Sequence, residues 1–225
     1  MRYLIFIFSF YFLSCSSTSV VTDDENIWNQ KVSPFNPNAI VAIKVKGEKS
    51  FCSGVLISPT QVLTATHCIY HMKTQRYALT EDIKVGIGEN LFGESFEWKP
   101  IIKTGKLPKD IFYSTEEFID RDIVQLFLKD PVFITPITLA QKIDNEAAFY
   151  AWGFGEDQWG YMGIKKSRPL VNAEVKDKVI LFTSGACRGD SGGPILDSKN
   201  QLVAIISLSR VRLCVEEGER IAQKI

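Results

Sequence analysis

The stretch "CRGDSGGP", residues 187–194, sets a single serine, Ser191, among Gly189, Asp190, Gly192 and Gly193. Glycine, aspartate and serine are the residues turns use anyway, so composition alone accounts for a turn here and for nothing more. The sharper reading is that Ser191 is a nucleophile whose neighbours let a substrate and backbone amides come very close. A serine hydroxyl attacks poorly until a base takes its proton, and histidine is the base whose ordinary pKa lies near neutrality. The chain has only two histidines, His67 and His71. His67 stands in "TATHC", residues 64–68. Used as a base, it needs a carboxylate to hold its tautomer and to stabilise the imidazolium. Asp122, in "RDIVQLFL", opens an apolar strand-like run that would half-bury its carboxylate.

Other chemistries fit less well. His67, Cys68 and His71 could contribute to a zinc site, since nitrogen and sulfur ligands suit zinc, but a fourth ligand is needed and no CxxC or second close cluster supplies one. Lys plus Arg equals Asp plus Glu at 26 each over 225 residues, so bulk charge points neither to nucleic acid nor to an anionic membrane surface. No motif indicates a metal, a nucleotide or any other cofactor.

Taken together, "GDSGGP" and the upstream "TATHC" resemble the trypsin-like (chymotrypsin-fold) serine proteases, and the order His67, Asp122, Ser191 is that family's order of triad residues. "AWGFG", residues 151–155, is similar to the family's GWG turn. The resemblance covers residues 27–225 and implies an all-β fold of two antiparallel six-stranded barrels, about 27–133 and 134–225, with the active site at their interface. The family's usual C-terminal helix is missing from this expectation, because the chain ends at Ile225. The residues agree: short β-type runs at 39–45, 52–58, 122–128, 147–153, 179–183 and 202–208 are separated by Gly, Pro, Asn and Asp, a pattern of sandwiches and barrels. Residues 129–136, "KDPVFITP", place two prolines where the two halves would divide.

The resemblance also implies roles. Ser191 attacks, His67 moves the proton, Asp122 orients it, and the amides of Gly189 and Ser191 form the oxyanion hole. Losing one such donor typically costs about a hundred- to a thousand-fold in rate. Disulfides are implied between Cys52 and Cys68, beside the histidine, and between Cys187 and Cys214, bracing the substrate pocket. Asp190 is implied to pair with a new N-terminal ammonium, here that of Ile27 after cleavage of the Asn26–Ile27 bond by an activating protease. A buried charge that loses its partner costs roughly 3–5 kcal/mol, so such a pair can switch the loop on. At the pocket floor Gly185 stands where an aspartate would select basic P1 residues. Ser207 is expected to support the triad and Ser209 to narrow the pocket entrance. An ungapped match puts Arg220 on the pocket wall, favouring an acidic P1; a two-residue shift puts Gly218 there and leaves a neutral pocket. Substrates are protein or peptide, and nothing demands more than a monomer. A non-catalytic binding protein on the same fold is the alternative.

The front of the chain reads differently. Arg2, the apolar run Tyr3–Leu13 and the small residues after it fit a secretory signal peptide over 1–15, too short to span a bilayer as a helix. Export makes disulfides possible. Cys15 resembles the lipid-attachment site of bacterial lipoproteins, which would anchor the protein to a membrane through acyl chains; ordinary cleavage near Ser16 or Ser17 would instead discard it. Residues 16–26, "SSTSVVTDDEN", lack a periodic apolar face and read as linker or propeptide.

Overall fold

The computed structural model describes residues 36–71, 74–108, 121–209 and 218–225. Cys15 and the signal segment, the linker, the Asn26–Ile27 bond and Cys214 lie outside the described residues.

The first half is a closed barrel. Its strands are β1 (Ile40–Val45), β2 (Cys52–Ser58), β3 (Gln61–Thr64), β6 (Ile83–Ile87), β7 (Glu97–Thr104) and β8 (Val124–Leu128), in the cyclic order β1-β2-β3-β8-β7-β6. A small hairpin, β4 (Tyr70–His71) with β5 (Arg76–Tyr77), stands outside it. All neighbouring pairs are antiparallel, so each strand shows two faces with a period of two residues. In β8 that period is plain: Val124, Leu126 and Leu128 are buried while Gln125 and Phe127 are half-exposed. β1 departs from it, with Ile40, Val41, Ala42 and Ile43 all buried, because its second face packs against the other half of the molecule.

The second half is a curled sheet with strands β9 (Phe149–Gly153), β10 (Lys166–Pro169), β11 (Glu174–Val175), β12 (Val179–Phe182), β13 (Pro194–Asp197), β14 (Leu202–Ser209) and β15 (Arg220–Lys224). Its order is β10-β9-β13-β14-β15-β12-β11. The two-barrel plan holds, with the second member an open half-barrel of seven strands where a closed six-stranded barrel was expected. Among the described residues the edge strands β10 and β11 do not pair: β10 ends on Pro169, which has no N–H to extend a ladder, and an isolated bridge, Val171 with Ser184, continues the curl.

Each half has its own apolar core, Val55, Leu56, Val62 and Leu126 in the first and Phe149, Ile180, Phe182 and Ile195 in the second. Phe154, Leu196 and Ile205 of the second half join the first core, which fixes the two sheets against each other. The proline-broken segment 129–136 runs along the first barrel, where Val132 N–H donates to Pro59 O (2.9 Å) and Ile137 N–H to Leu56 O (2.9 Å). Leu139 then bridges to Leu202 on β14. All six runs marked in the sequence contain a strand. Those not marked, such as β10 with "KSRP" and β15 with "RIAQK", carry charges that mask the pattern.

Cys52 and Cys68 form a disulfide, tying the first residue of β2 to the 3₁₀ turn Thr66–Ile69 that carries His67. A cross-link closing a loop of this length contributes about 3 kcal/mol in the chain-entropy model. Replacing both cysteines by serine should therefore lower the thermal midpoint by about 6–12 °C, given roughly 2–4 °C per kcal/mol at this size. A calorimetric midpoint unchanged by the double substitution would contradict that role.

Candidate active site

His67 and Asp122 lie 55 residues apart in sequence and meet because β3 pairs with β8, Thr64 opposite Val124. Asp122 sits just before β8, with its side chain fully buried, and the 3₁₀ turn after β3 brings the imidazole over it. His67 Nδ1 is 2.8 Å from Asp122 Oδ2, and the His67 backbone N–H donates to Oδ1 at 2.9 Å. Ser207 on β14 donates its hydroxyl to Oδ2 at 2.5 Å. The Asp122 N–H donates to Gln223 Oε1 at 3.0 Å, and the Thr66 hydroxyl to Arg121 O at 2.9 Å. Three contacts thus hold the carboxylate, two from His67 and one from Ser207, while Gln223 and Thr66 fix the backbone beside it. Burial of the His67 ring opposes its charged form, but the Asp122 charge and hydrogen bond outweigh that, so its pKa is raised above 6.5.

Ser191 enters from the other half. Its carbonyl accepts the Ser53 N–H at 2.8 Å and touches Cys68 Sγ at 3.5 Å, which sets the loop against β2 and the disulfide. His67, Ser191, Gly189 and Arg188 line one cavity of about 350 Å³ together with the Cys52–Cys68 bridge. Within the loop the peptide planes are fixed by their carbonyls. Arg188 O accepts Glu156 N–H (2.9 Å) and Asp190 O accepts Gly193 N–H (2.8 Å). In a trans peptide N–H and C=O point opposite ways, so the Gly189 and Ser191 amides are turned away from those partners. Gly189 and Gly192 hold φ of +95° and +81°, the left-handed region that favours glycine. At Gly192 a Cβ would also lie 2.1 Å from Thr64 Oγ1, so no side chain fits.

A family model described as Trypsin matches residues 27–222. The chain belongs to the trypsin family. Trypsin of Phaedon cochleariae is 31% identical over 187 residues, 70% of this chain and 68% of its own length. Glucanase inhibitor protein 4 of Phytophthora infestans is 24% identical over 191 residues, 73% of this chain and 71% of its own. Hepatocyte growth factor activator serine protease of Homo sapiens is 25% identical over 183 residues, which are 67% of this chain and 27% of that longer protein.

Within this trypsin-family fold the residues expected around a substrate pocket fall as follows. Arg220 opens β15 opposite Phe182 of β12 and Ser209 of β14, and is 1% exposed. Its guanidinium donates to Ala186 O (2.8 Å), to Gly218 O (3.1 Å) and to Thr183 O, two of them carbonyls that flank Gly185. Gly185 and Arg220 are therefore neighbours. Ser207 faces Asp122, at the triad side of the expected pocket. Ser209 ends β14. Cys187 is disulfide-bonded, and its expected partner Cys214 is outside the described residues. Asp190 is fully buried, with Arg168 as its ion-pair partner, while Ile27 lies outside the described residues.

Two residues of this region carry no sequence motif. Ser53, wholly buried on β2, donates its hydroxyl to Gly189 O (2.8 Å) and accepts the Phe154 N–H (3.0 Å), so one hydroxyl joins the loop, the "AWGFG" turn and the first barrel. A polar residue inside the apolar run "CSGVLIS" was the available signal. Arg168, in "KSRP", had none, since an arginine in a short polar strand reads as surface.

Proposed function

We propose that this chain is an extracytoplasmic serine endopeptidase that cleaves peptide bonds through an acyl-enzyme. Ser191 attacks the scissile carbonyl, and His67 takes its proton and later gives it to the leaving amine. Asp122 orients the imidazole, and the Gly189 and Ser191 amides receive the oxyanion. The observation that carries this reading is the His67 imidazole, bonded through Nδ1 to buried Asp122 and sharing one cavity with Ser191. The Cys52–Cys68 disulfide and the apolar N-terminal run support a location outside the cytoplasm. Labelling with a fluorophosphonate, followed by peptide mapping, tests the chemistry. Modification at Ser191, absent from Ser191→Ala, is the expected result.

A relative whose name is that of an inhibitor protein keeps a second reading alive, a non-catalytic binding protein on the same fold. Correctly folded protein that is never labelled at Ser191 would make this reading the leading one.

Substrate choice follows from Gly185 and Arg220. A buried guanidinium beside a glycine floor repels a basic P1 side chain and attracts Asp or Glu. Like charges about 5 Å apart at an effective dielectric of about 20 repel by about 3 kcal/mol, or roughly a hundredfold. The kcat/KM for peptides with Lys or Arg at P1 should accordingly fall about a hundredfold below that for neutral P1 residues, and that for Glu or Asp should rise above it. A preference for neutral P1 residues over both would instead support Gly218 as the wall residue.

A further inference from the structure

Asp190 is a buried charge outside the His67–Asp122 pair that is engaged on both oxygens. It is fully buried, its Oδ1 accepts the Gly155 N–H at 2.8 Å, and its Oδ2 accepts the Cys187 N–H at 2.8 Å and a guanidinium N–H of Arg168. Arg168 is 1% exposed and sits on β10 opposite Ala151 of β9, so its position is set by strand register. The other arm of its guanidinium donates to Glu156 O at 2.5 Å. The N–H of that same Glu156 donates to Arg188 O, the bond that orients the Arg188–Gly189 peptide. One side chain therefore grips the loop twice. Through Asp190 it holds the residue before Ser191, and through Glu156 it holds the backbone that aims the Gly189 amide. The carboxylate also lies flat on the "AWGFG" turn, since a Cβ on Gly155 would lie 2.5 Å from Asp190 Cγ.

An arginine suits this task, because its charge is permanent and its planar fork reaches two acceptors at once. A cation already in place on Asp190 does what a newly cut N-terminus is expected to do in the family this chain resembles. We propose that Arg168 is the built-in counter-ion of Asp190 and the positioning residue of the oxyanion loop, so that hydrolysis does not require cleavage at Asn26–Ile27. The inference rests on the endopeptidase reading and assigns Arg168 no contact with substrate.

The test compares two forms of the full catalytic chain, one beginning at Ser16 with the Asn26–Ile27 bond intact and one beginning at Ile27, by their rates of fluorophosphonate labelling. Rates equal within about threefold are expected, at Ser191 in both. Labelling confined to the form that starts at Ile27 overturns the role of Arg168 and leaves the endopeptidase standing. Labelling of neither overturns both. In the form beginning at Ser16, Arg168→Gln should lower kcat on a peptide substrate by about a hundred- to a thousand-fold, the scale of a lost oxyanion donor, with KM changed by less than about threefold. Arg168→Lys keeps the charge but not the fork and should recover at least about tenfold of that loss. If the glutamine variant does not fold, the lysine variant carries the same comparison. Equal activity of wild type and both variants would overturn the proposal.

Discussion

Ser191→Ala is expected to lower kcat by about 10⁶, the scale on which removing a triad nucleophile abolishes the covalent route. What remains is expected from substrate binding and from the proposed oxyanion donors, the Gly189 and Ser191 amides, which the substitution leaves in place. The backbone around residue 191 should survive, because its anchors are main-chain groups: the Ser191 carbonyl on the Ser53 N–H and the Asp190 carbonyl on the Gly193 N–H. A thermal midpoint within about 2 °C of the wild type is the matching expectation, since among the described residues no hydrogen bond of the Ser191 hydroxyl supports the fold. Adding Asp122→Asn to Ser191→Ala should cost little more, for a base and its orienter have no use without the nucleophile. Residual hydrolysis within tenfold of the wild type, in protein free of contaminating protease, would mean that the nucleophile lies elsewhere.

Asp122→Asn ranks second, at about 10⁴ in kcat, the scale produced when the imidazole of a Ser-His-Asp triad is held in the wrong tautomer. Both oxygens of Asp122 act as acceptors here. Oδ1 takes the His67 backbone N–H, and Oδ2 faces His67 Nδ1 and takes the Ser207 hydroxyl. An asparagine has one acceptor oxygen and one NH₂ group. If the NH₂ faces Nδ1, the imidazole must carry its proton on Nε2 and cannot take one from Ser191. If it turns the other way, it meets the backbone N–H of His67, donor against donor. Neither orientation works. Asp122→Glu, which keeps two acceptors, should misplace the ring but retain more activity than the asparagine variant.

The same substitution has a signature in pH. His67 must be neutral to act as a base, and in the wild type its pKa is raised above 6.5, so kcat/KM should lose half its value on acidification at a pH above 6.5. Without the Asp122 charge, burial is the dominant influence left on the ring and disfavours the imidazolium, so the acid limb should move below 6.5. Stability carries the linked sign. A raised folded-state pKa means that the charged His67–Asp122 pair contributes in full below pH 6.5, and the contribution fades as pH rises through the folded value. Denaturant midpoints taken across pH 5–9 should show this fading in the wild type and not in the asparagine variant.

Much of the site could be read before any fold was known. Turn chemistry around Ser191, a histidine beside a cysteine and an aspartate opening an apolar run are properties of neighbouring residues, and the short strands announce themselves as β-type runs of five to seven residues broken by Gly, Pro, Asn and Asp. The first barrel, the Cys52–Cys68 bridge and the approach of His67 to Asp122 followed that reading. Less legible were the polar strands. β10 and β15 bury Arg168 and Arg220, the kind of residue expected at the surface, and the second sheet stays open at its proline-ended edge.

By itself, then, the sequence determined the all-β class and named the candidate chemical parts in their order along the chain, because each depends on residues a few positions apart. Only the tertiary structure decided who holds those parts. Ser53 reaches Gly189 across 136 positions, and Arg168 reaches Asp190 across 22. Those partnerships depend on strand register and on two sheets meeting at one seam. A buried polar group must find its partner wherever the chain has folded to, and no local pattern announces where that is.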